Sequence, residues 1–176
     1  ASGRGGSAGA RVELGAYELA SSLAYTVRGG PPDAELLSAA ARGELVEPGA
    51  RRAQARRLLG DSAARFHFRQ FVLEWFEVDG LGNTAKNTSL FPQYDVLKPH
   101  MLAETESFVD EVMVNDGGSL GALLGGGFSA VSPELARFYG LGVYGPRVNV
   151  QKQGRVGLLQ HASFLAAHAH DNMTSP

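Results

Sequence analysis

The sequence predicts an all-α fold, mainly a helical bundle with long Gly-rich loops and at most a minor β-hairpin. Three observations predict it. Apolar residues recur three and four positions apart through most of the chain. Proline or a small polar residue opens these segments and glycine closes them. Period-two alternation is confined to Val148 and Val150. With 176 residues, 44% of them apolar and 19% charged, the chain can form an ordinary core. A globule of this length removes about 70% of its unfolded surface from water, so it needs no staples.

The segments follow in order. Gly3, Gly5, Gly6 and Gly9 leave residues 1–10 too little apolar surface to offset ordering, which predicts a flexible lead-in. Val12, Tyr17, Leu19, Leu23, Tyr25 and Val27 make a first helix, stopped by Gly29-Gly30-Pro31-Pro32. Asp33 stands as N-cap for Ala34–Leu45. Residues 48–60 open with Pro and close on Gly, with Arg51, Arg52, Arg56 and Arg57 on the exposed side.

The helix expected over 62–77 carries two apolar stripes, Phe68-Phe71-Trp75 and Phe66-Leu73-Phe76. A helix apolar on two faces is a central helix, so Trp75 is expected to be buried. After an irregular stretch over 78–92, Pro99 suits the first position of a helix running to Val114. A short helix over 119–124, a Ser132-capped helix to Tyr139, a strand near Val148 and a helix over 155–169 complete the reading.

This gives a lead-in over 1–10, a helical domain over 11–116 around the aromatic helix 62–77, and a smaller helical and irregular part over 117–176. Neither terminus reads as a gene end, since ASGRGGSAGA lacks an initiator Met and HDNMTSP closes on no helix. The expectation is a piece of a longer protein.

Composition excludes several classes. A net charge of -2 gives no basic excess for nucleic acid. No apolar run reaches the 18 residues or so that a membrane span needs. Without cysteine there is no disulfide, iron–sulfur cluster or thioether-linked haem on this chain. Charge is uneven: residues 74–116 carry two basic and nine acidic groups, a balance of -7. An acidic face over 74–116 can dock other domains or subunits, or can be neutralised by basic helices of the same chain.

Candidates for chemistry are few. His100 and Glu104, one helical turn apart, can both reach one divalent metal, although the Glu-x-x-His pairs of di-metal bundles do not occur. His161, His168 and His170 form a C-terminal cluster of imidazoles suited to zinc, copper or non-covalent haem. Gly60-Asp61-Ser62 resembles the serine block of one lipase/esterase group, but the Asp-x-x-His pair supplying its base is lacking. Ser62 and Glu104 are the catalytic candidates, and a helix cap is the competing explanation of Asp61 and Ser62. The string Gly140-Leu141-Gly142-Val143-Tyr144-Gly145 matches a dinucleotide fingerprint in letters only; it follows a helix, so a turn is expected.

Taken together, RVELGAYELASSLAYTVRGGPPDAELL, ARRLLGDSAARFHFRQFVLEWFEVDGL, LFPQYDVLKPHMLAETESFVDEV, FSAVSPELARFYGL, YGPRVNV and RVGLLQHASFLAAHAHDNMTSP carry a resemblance. The chain resembles the paired domains of unknown function that accompany planctomycete-type cytochrome c domains in large exported bacterial proteins. Glu18, Asp33, Trp75, Glu104, Thr105 and Tyr139 match that family's usual pattern. The resemblance implies export to the periplasm or beyond, and a redox protein without an established reaction. It also implies that haem sits in a separate domain, with no cofactor in this chain. The function expected is therefore a helical accessory or scaffold portion of such a protein. An independent esterase-like hydrolase, or a metal-dependent enzyme using the C-terminal histidines, is the alternative.

Overall fold

A computed structural model describes residues 13–171 and 173. The lead-in expected over 1–10 lies outside the described residues, as does part of the C-terminal tail. The structure is mainly helical and divides between Phe68 and Arg69 into two compact units.

The first unit contains α1 (Ala16–Arg28), α2 (Ala34–Ala41), a 3-10 turn (Glu44–Val46), α3 (Pro48–Leu59) and the first half of α4 (Ser62–Trp75). Its core is made of small and branched residues: Ala20, Ala24, Leu36, Ala39, Ala40, Leu45 and Leu58. Alanine on facing helices lets backbones approach closely, so few large side chains are needed to exclude water.

The caps are made by acidic residues. The Gly15 amide donates to Glu18 Oε2 at 2.7 Å, closing the start of α1. Asp33 caps α2 by accepting from the Leu36 amide at 2.9 Å, and it accepts from the two terminal guanidinium nitrogens of Arg57 at 2.8 and 2.9 Å. The Arg57 hydrogen bonds hold the Asp33 carboxyl below its ordinary value despite some desolvation. Gly29 ends α1 at φ 66°, where a Cβ would collide with the His67 ring. Only glycine satisfies both conditions.

The second unit is arranged around α5 (Tyr94–Asn115), which packs on α6 (Leu120–Gly125), β1 (Phe128–Val131), α7 (Pro133–Tyr139) and α8 (Ala162–His168). Residues 117–168 thus share a unit with α5 and the end of α4. β1 pairs antiparallel with β2 (Gly145–Asn149), Ser129 opposite Val148, with an irregularity before Val131. α7 intervenes between the two strands, so they form a ribbon closed by a helix rather than by a tight turn. The core joins Leu97 and Met101 of α5 to Val131, Leu135, Val148 and Ala162, and Phe108 is fully buried beside Phe128.

Three expectations are corrected. The aromatic helix is not the centre of a core: Ala64, Val72 and Leu73 are the buried residues of α4, while Phe66, Phe71 and Trp75 are 55%, 53% and 56% exposed. Apolar spacing says which residues share a face, and neighbours decide whether that face is covered. Pro99 is not the first residue of its helix, because Tyr94 and Leu97 are buried on the core side and extend α5 ahead of the proline. The helix expected over 155–169 begins only at Ala162. Gly157 stands at φ 64° with its amide on the Gly126 carbonyl (2.8 Å), and a 3-10 turn over Leu158–Gln160 follows. A Cβ on Gly157 would strike the Leu124 carbonyl.

The end of α4 is closed by a Schellman arrangement. The Val78 amide donates to the Leu73 carbonyl at 2.8 Å and the Glu77 amide to the Glu74 carbonyl at 3.0 Å. Val78 and Leu73, the positions between which an apolar contact ordinarily accompanies this motif, are both buried. Glu77 occupies the left-handed position (φ 53°) that glycine ordinarily fills. An L-residue there costs about 1–2 kcal/mol, part of which the greater chain entropy of glycine would return. Glu77→Gly should therefore stabilise the protein by about 0.5–1 kcal/mol, read as a higher urea midpoint with unchanged slope. A lower midpoint would show that the Glu77 side chain makes a compensating contact.

Candidate functional site

The second unit holds a group of buried polar side chains drawn from four elements. Glu104 and Thr105 project inward from α5, Ser129 from β1, and His161 and Ser163 from the start of α8; all five are buried. Tyr139, the last residue of α7, reaches them from the side. Ser129 is on the inward row of a half-buried strand, and His161 is the N-cap position of α8.

Two hydrogen-bonded sets result. In the first, Tyr139 Oη donates to Glu104 Oε2 at 2.6 Å and Ser129 Oγ donates to Glu104 Oε1 at 2.7 Å. The Ala162 amide donates to the same tyrosine oxygen at 3.3 Å. Burial raises the Glu104 carboxyl above its ordinary value; the bonds from Tyr139 and Ser129 and the more distant Arg155 oppose this without cancelling it. Burial, with the carboxylate beside it, also pushes the Tyr139 hydroxyl far above the ordinary tyrosine value, so it remains a donor.

In the second set Thr105 Oγ1 lies 2.9 Å from His161 Nδ1 and against Ser163 Oγ. With the imidazole neutral and its proton on Nε2, Ser163 donates to Thr105 and Thr105 to Nδ1, the Met101 carbonyl at 3.4 Å being the longer alternative acceptor for the threonine proton. Burial, aided by the positive charge of Arg155, pulls His161 down to about 3. The ring is edge-on to Phe108 with centroids 4.7 Å apart. A serine, a threonine and a histidine are thus adjacent, as in nucleophilic catalysis, yet Thr105 and Ser163 have no exposed surface. Substrate has no path to their oxygens in this conformation.

Beside this cluster a cleft of about 490 Å³ opens between α5, α7, α8 and the segment before α5. Leu97, Met101, Ala162 and Ala166 give it apolar walls, and Tyr139 joins it to the buried polar set. Arg155 lies over the Tyr139 ring, 3.7 Å from its centroid. Lys86, on the opposite segment, donates to the Ala169 and His170 carbonyls, and the Asn87 amide donates to the Asp171 carbonyl at 2.9 Å.

The sequence candidates fall in separate places. Ser62 is in the first unit at the start of α4, its Oγ 3.3 Å from Asp61 Oδ1. Asp61 Oδ1 also accepts from the Ala63 amide at 3.1 Å and Asp61 Oδ2 pairs with Arg28 at 3.0 Å, which is a cap. His100 faces Glu134 at 3.7 Å, whereas Glu104, one turn on, faces Ser129 and Tyr139. His161 is buried on Thr105, His168 bonds the Phe164 carbonyl at 2.9 Å, and His170 lines the cleft. Among the described residues, no three His, Asp or Glu side chains converge as metal ligands. The Gly140–Gly145 string is a turn, with Gly140 capping α7 at φ 67° and Gly145 opening β2.

The acidic stretch is partly neutralised within its own unit. Asp110 pairs with Arg69, Glu111 with Arg147, and Asp95 with Lys98 at 3.6 Å. Glu74, Glu77 and Asp79 remain exposed. Sequence reasoning did not single out Ser129, Ser163 or Arg155. The signal for Ser129 was its inward parity in Phe-Ser-Ala-Val, visible only once that run is known to be a strand.

Residues 14–141 match the model of a family described as PSD4, protein of unknown function (DUF1592), and the chain belongs to that family. The match takes in Glu104, Thr105, Ser129 and Tyr139 and ends before Arg155, His161 and Ser163. No curated protein matches the chain, and no solved structure does.

A raised carboxyl makes stability depend on pH. Glu104 contributes fully below the unfolded glutamate value and loses that contribution as pH rises through its raised folded value. Glu104→Gln keeps the shape of the protonated acid and cannot ionise. The variant should therefore gain on the parent as pH is raised from 4 to 8 in urea melts. A stability difference that stays constant over that interval would show that Glu104 titrates normally.

Proposed function

We propose that the chain is a helical accessory portion of an exported, haem-linked redox protein, and that it acts by docking another domain rather than by catalysis. The observation that carries this reading is the exposed face of α4. Phe71 and Trp75 are 53% and 56% exposed, with their rings stacked at 5.7 Å. Glu74 shares their face at helical spacing, and Glu77 and Asp79 follow directly. Large aromatics edged by carboxylates have the character of an interface core with a charged rim.

The family resemblance supports a c-type haem domain as the partner, and the exposed carboxylates favour a basic surface on it. This chain has no cysteine, so thioether-linked haem would be carried by that partner. Trp75, which matches the family's usual pattern, packs on Phe71 and Phe76 of its own helix segment and leaves more than half its surface exposed. Export is proposed on the resemblance alone. The hydrolase and metal-enzyme alternatives draw less support, because Ser62 serves a cap and the three C-terminal histidines make separate contacts.

Trp75 is the only tryptophan and reports directly on this face. Titration with the haem-bearing domain should quench its emission and shift it to the blue, more weakly at 0.5 M salt than at low salt. Glu74→Lys should weaken the complex without unfolding the chain. Unchanged emission at saturating haem domain, with no complex in sedimentation, would overturn the reading.

A further inference from the structure

We propose that the cleft of the second unit binds a small apolar monocarboxylate, its head group on Arg155 and its hydrocarbon body between α5 and α8. The inference goes beyond the docking role and does not depend on it, since the α4 face and the cleft involve different residues.

Volume and lining set the class of ligand. About 490 Å³ lies within the range of small-molecule sites, and the walls are apolar with a few polar groups at one end. Exposed Leu90, Phe91, Phe138, Leu165 and Met173 surround the opening, a concentration of large apolar residues that single scattered side chains do not produce. An apolar body is thus accommodated from the floor to the rim.

Charge sets the head group. Arg155 and Lys86 both line the cleft, and among the described residues no Asp or Glu does. Lys86 already spends its ammonium on the Ala169 and His170 carbonyls, and Asp171 acts on it electrostatically. Arg155 is differently placed. One terminal nitrogen donates to the Gln160 carbonyl and the guanidinium plane rests on Tyr139. Among the described residues it has no salt-bridge partner, and its Nε and second terminal nitrogen have no acceptor. A planar fork with donors to spare, held in place by an aromatic ring, suits a carboxylate. The buried acid Glu104 accepts from Tyr139 and Ser129 and acts on Arg155 only electrostatically, with no salt bridge between them. A neutral ligand would leave the free guanidinium donors unmet, and a dianion would exceed the single unpaired cation. One carboxylate on an apolar chain or ring satisfies both.

Octanoate and its neutral counterpart octanamide provide the test, by calorimetry and by amide NMR shifts on the full chain. Octanoate should bind and shift resonances of α5, α7 and α8, with octanamide at least about tenfold weaker, as expected for loss of a charge-assisted pair. Arg155→Gln should reduce octanoate affinity by about tenfold or more and leave octanamide unchanged. Because that substitution also removes the contact with Tyr139, Ala166→Phe offers a second route. It fills the cleft, leaves Arg155 intact, and should abolish binding of both ligands. Equal binding of octanoate and octanamide would overturn the assignment of the head group. No octanoate binding to the folded parent, or octanoate shifts confined to the α4 face, would overturn the site.

Discussion

A carboxyl group taken out of water must find donors inside the protein, and Glu104 finds them on two other elements. Tyr139 brings the end of α7 and Ser129 brings β1 onto the middle of α5. The next residue, Thr105, fixes His161 and Ser163 at the start of α8 in the same way. Two adjacent positions on one helix therefore set the placement of a strand and two helices. The apolar core around Leu97, Met101 and Leu135 supplies the driving force, which is non-directional. The polar contacts select one arrangement among those the apolar surfaces would allow.

That constraint also produces the cleft. Tyr139 is held by its hydroxyl on the Glu104 side, its ring lies under Arg155, and it lines the open space beside α8. The buried set and the cleft are two sides of one residue. Burial keeps His161 neutral and Tyr139 protonated, so neither is poised to exchange protons near neutrality. Arg155 and Lys86 are the charged groups that line the cleft beside them. The face of α4 is of a different kind, with stacked aromatic rings beside exposed carboxylates.

Much of the fold is legible in the sequence where local chemistry decides it. Asp33, Pro48, Ser119 and Ser132-Pro133 mark helix starts, and Gly29, Gly60 and Gly140 lie at helix ends, because caps and stops act within a few residues. Burial depends on distant neighbours, and there the reading fails. Both stripes of α4 are apolar, yet of their residues only Leu73 is buried, beside Ala64 and Val72, which lie in neither stripe. Pro99 marks a helix boundary by its own chemistry, but burial of Tyr94 and Leu97 extends the helix past it. Glu104 and the three C-terminal histidines were legible as chemical candidates by residue type alone. Their partners were not, since Ser129, Tyr139 and Arg155 lie 25, 35 and 51 positions from Glu104. Of the six positions tied to the family pattern, Glu18 and Asp33 cap helices and Glu104, Thr105 and Tyr139 form the buried set. Trp75 is exposed and takes part in neither the caps nor the buried set.

The central claim is that Glu104 is an interior carboxyl on which the second unit is assembled. Its side-chain carbon, followed by carbon-13 NMR through a pH titration of the folded chain, reports on that claim at the atom concerned. The account predicts a midpoint clearly above the value of a glutamate in water, with the Tyr139 and Ser129 resonances moving in the same step. A Glu104 midpoint at or below the ordinary glutamate value, with Tyr139 and Ser129 unmoved, would contradict it.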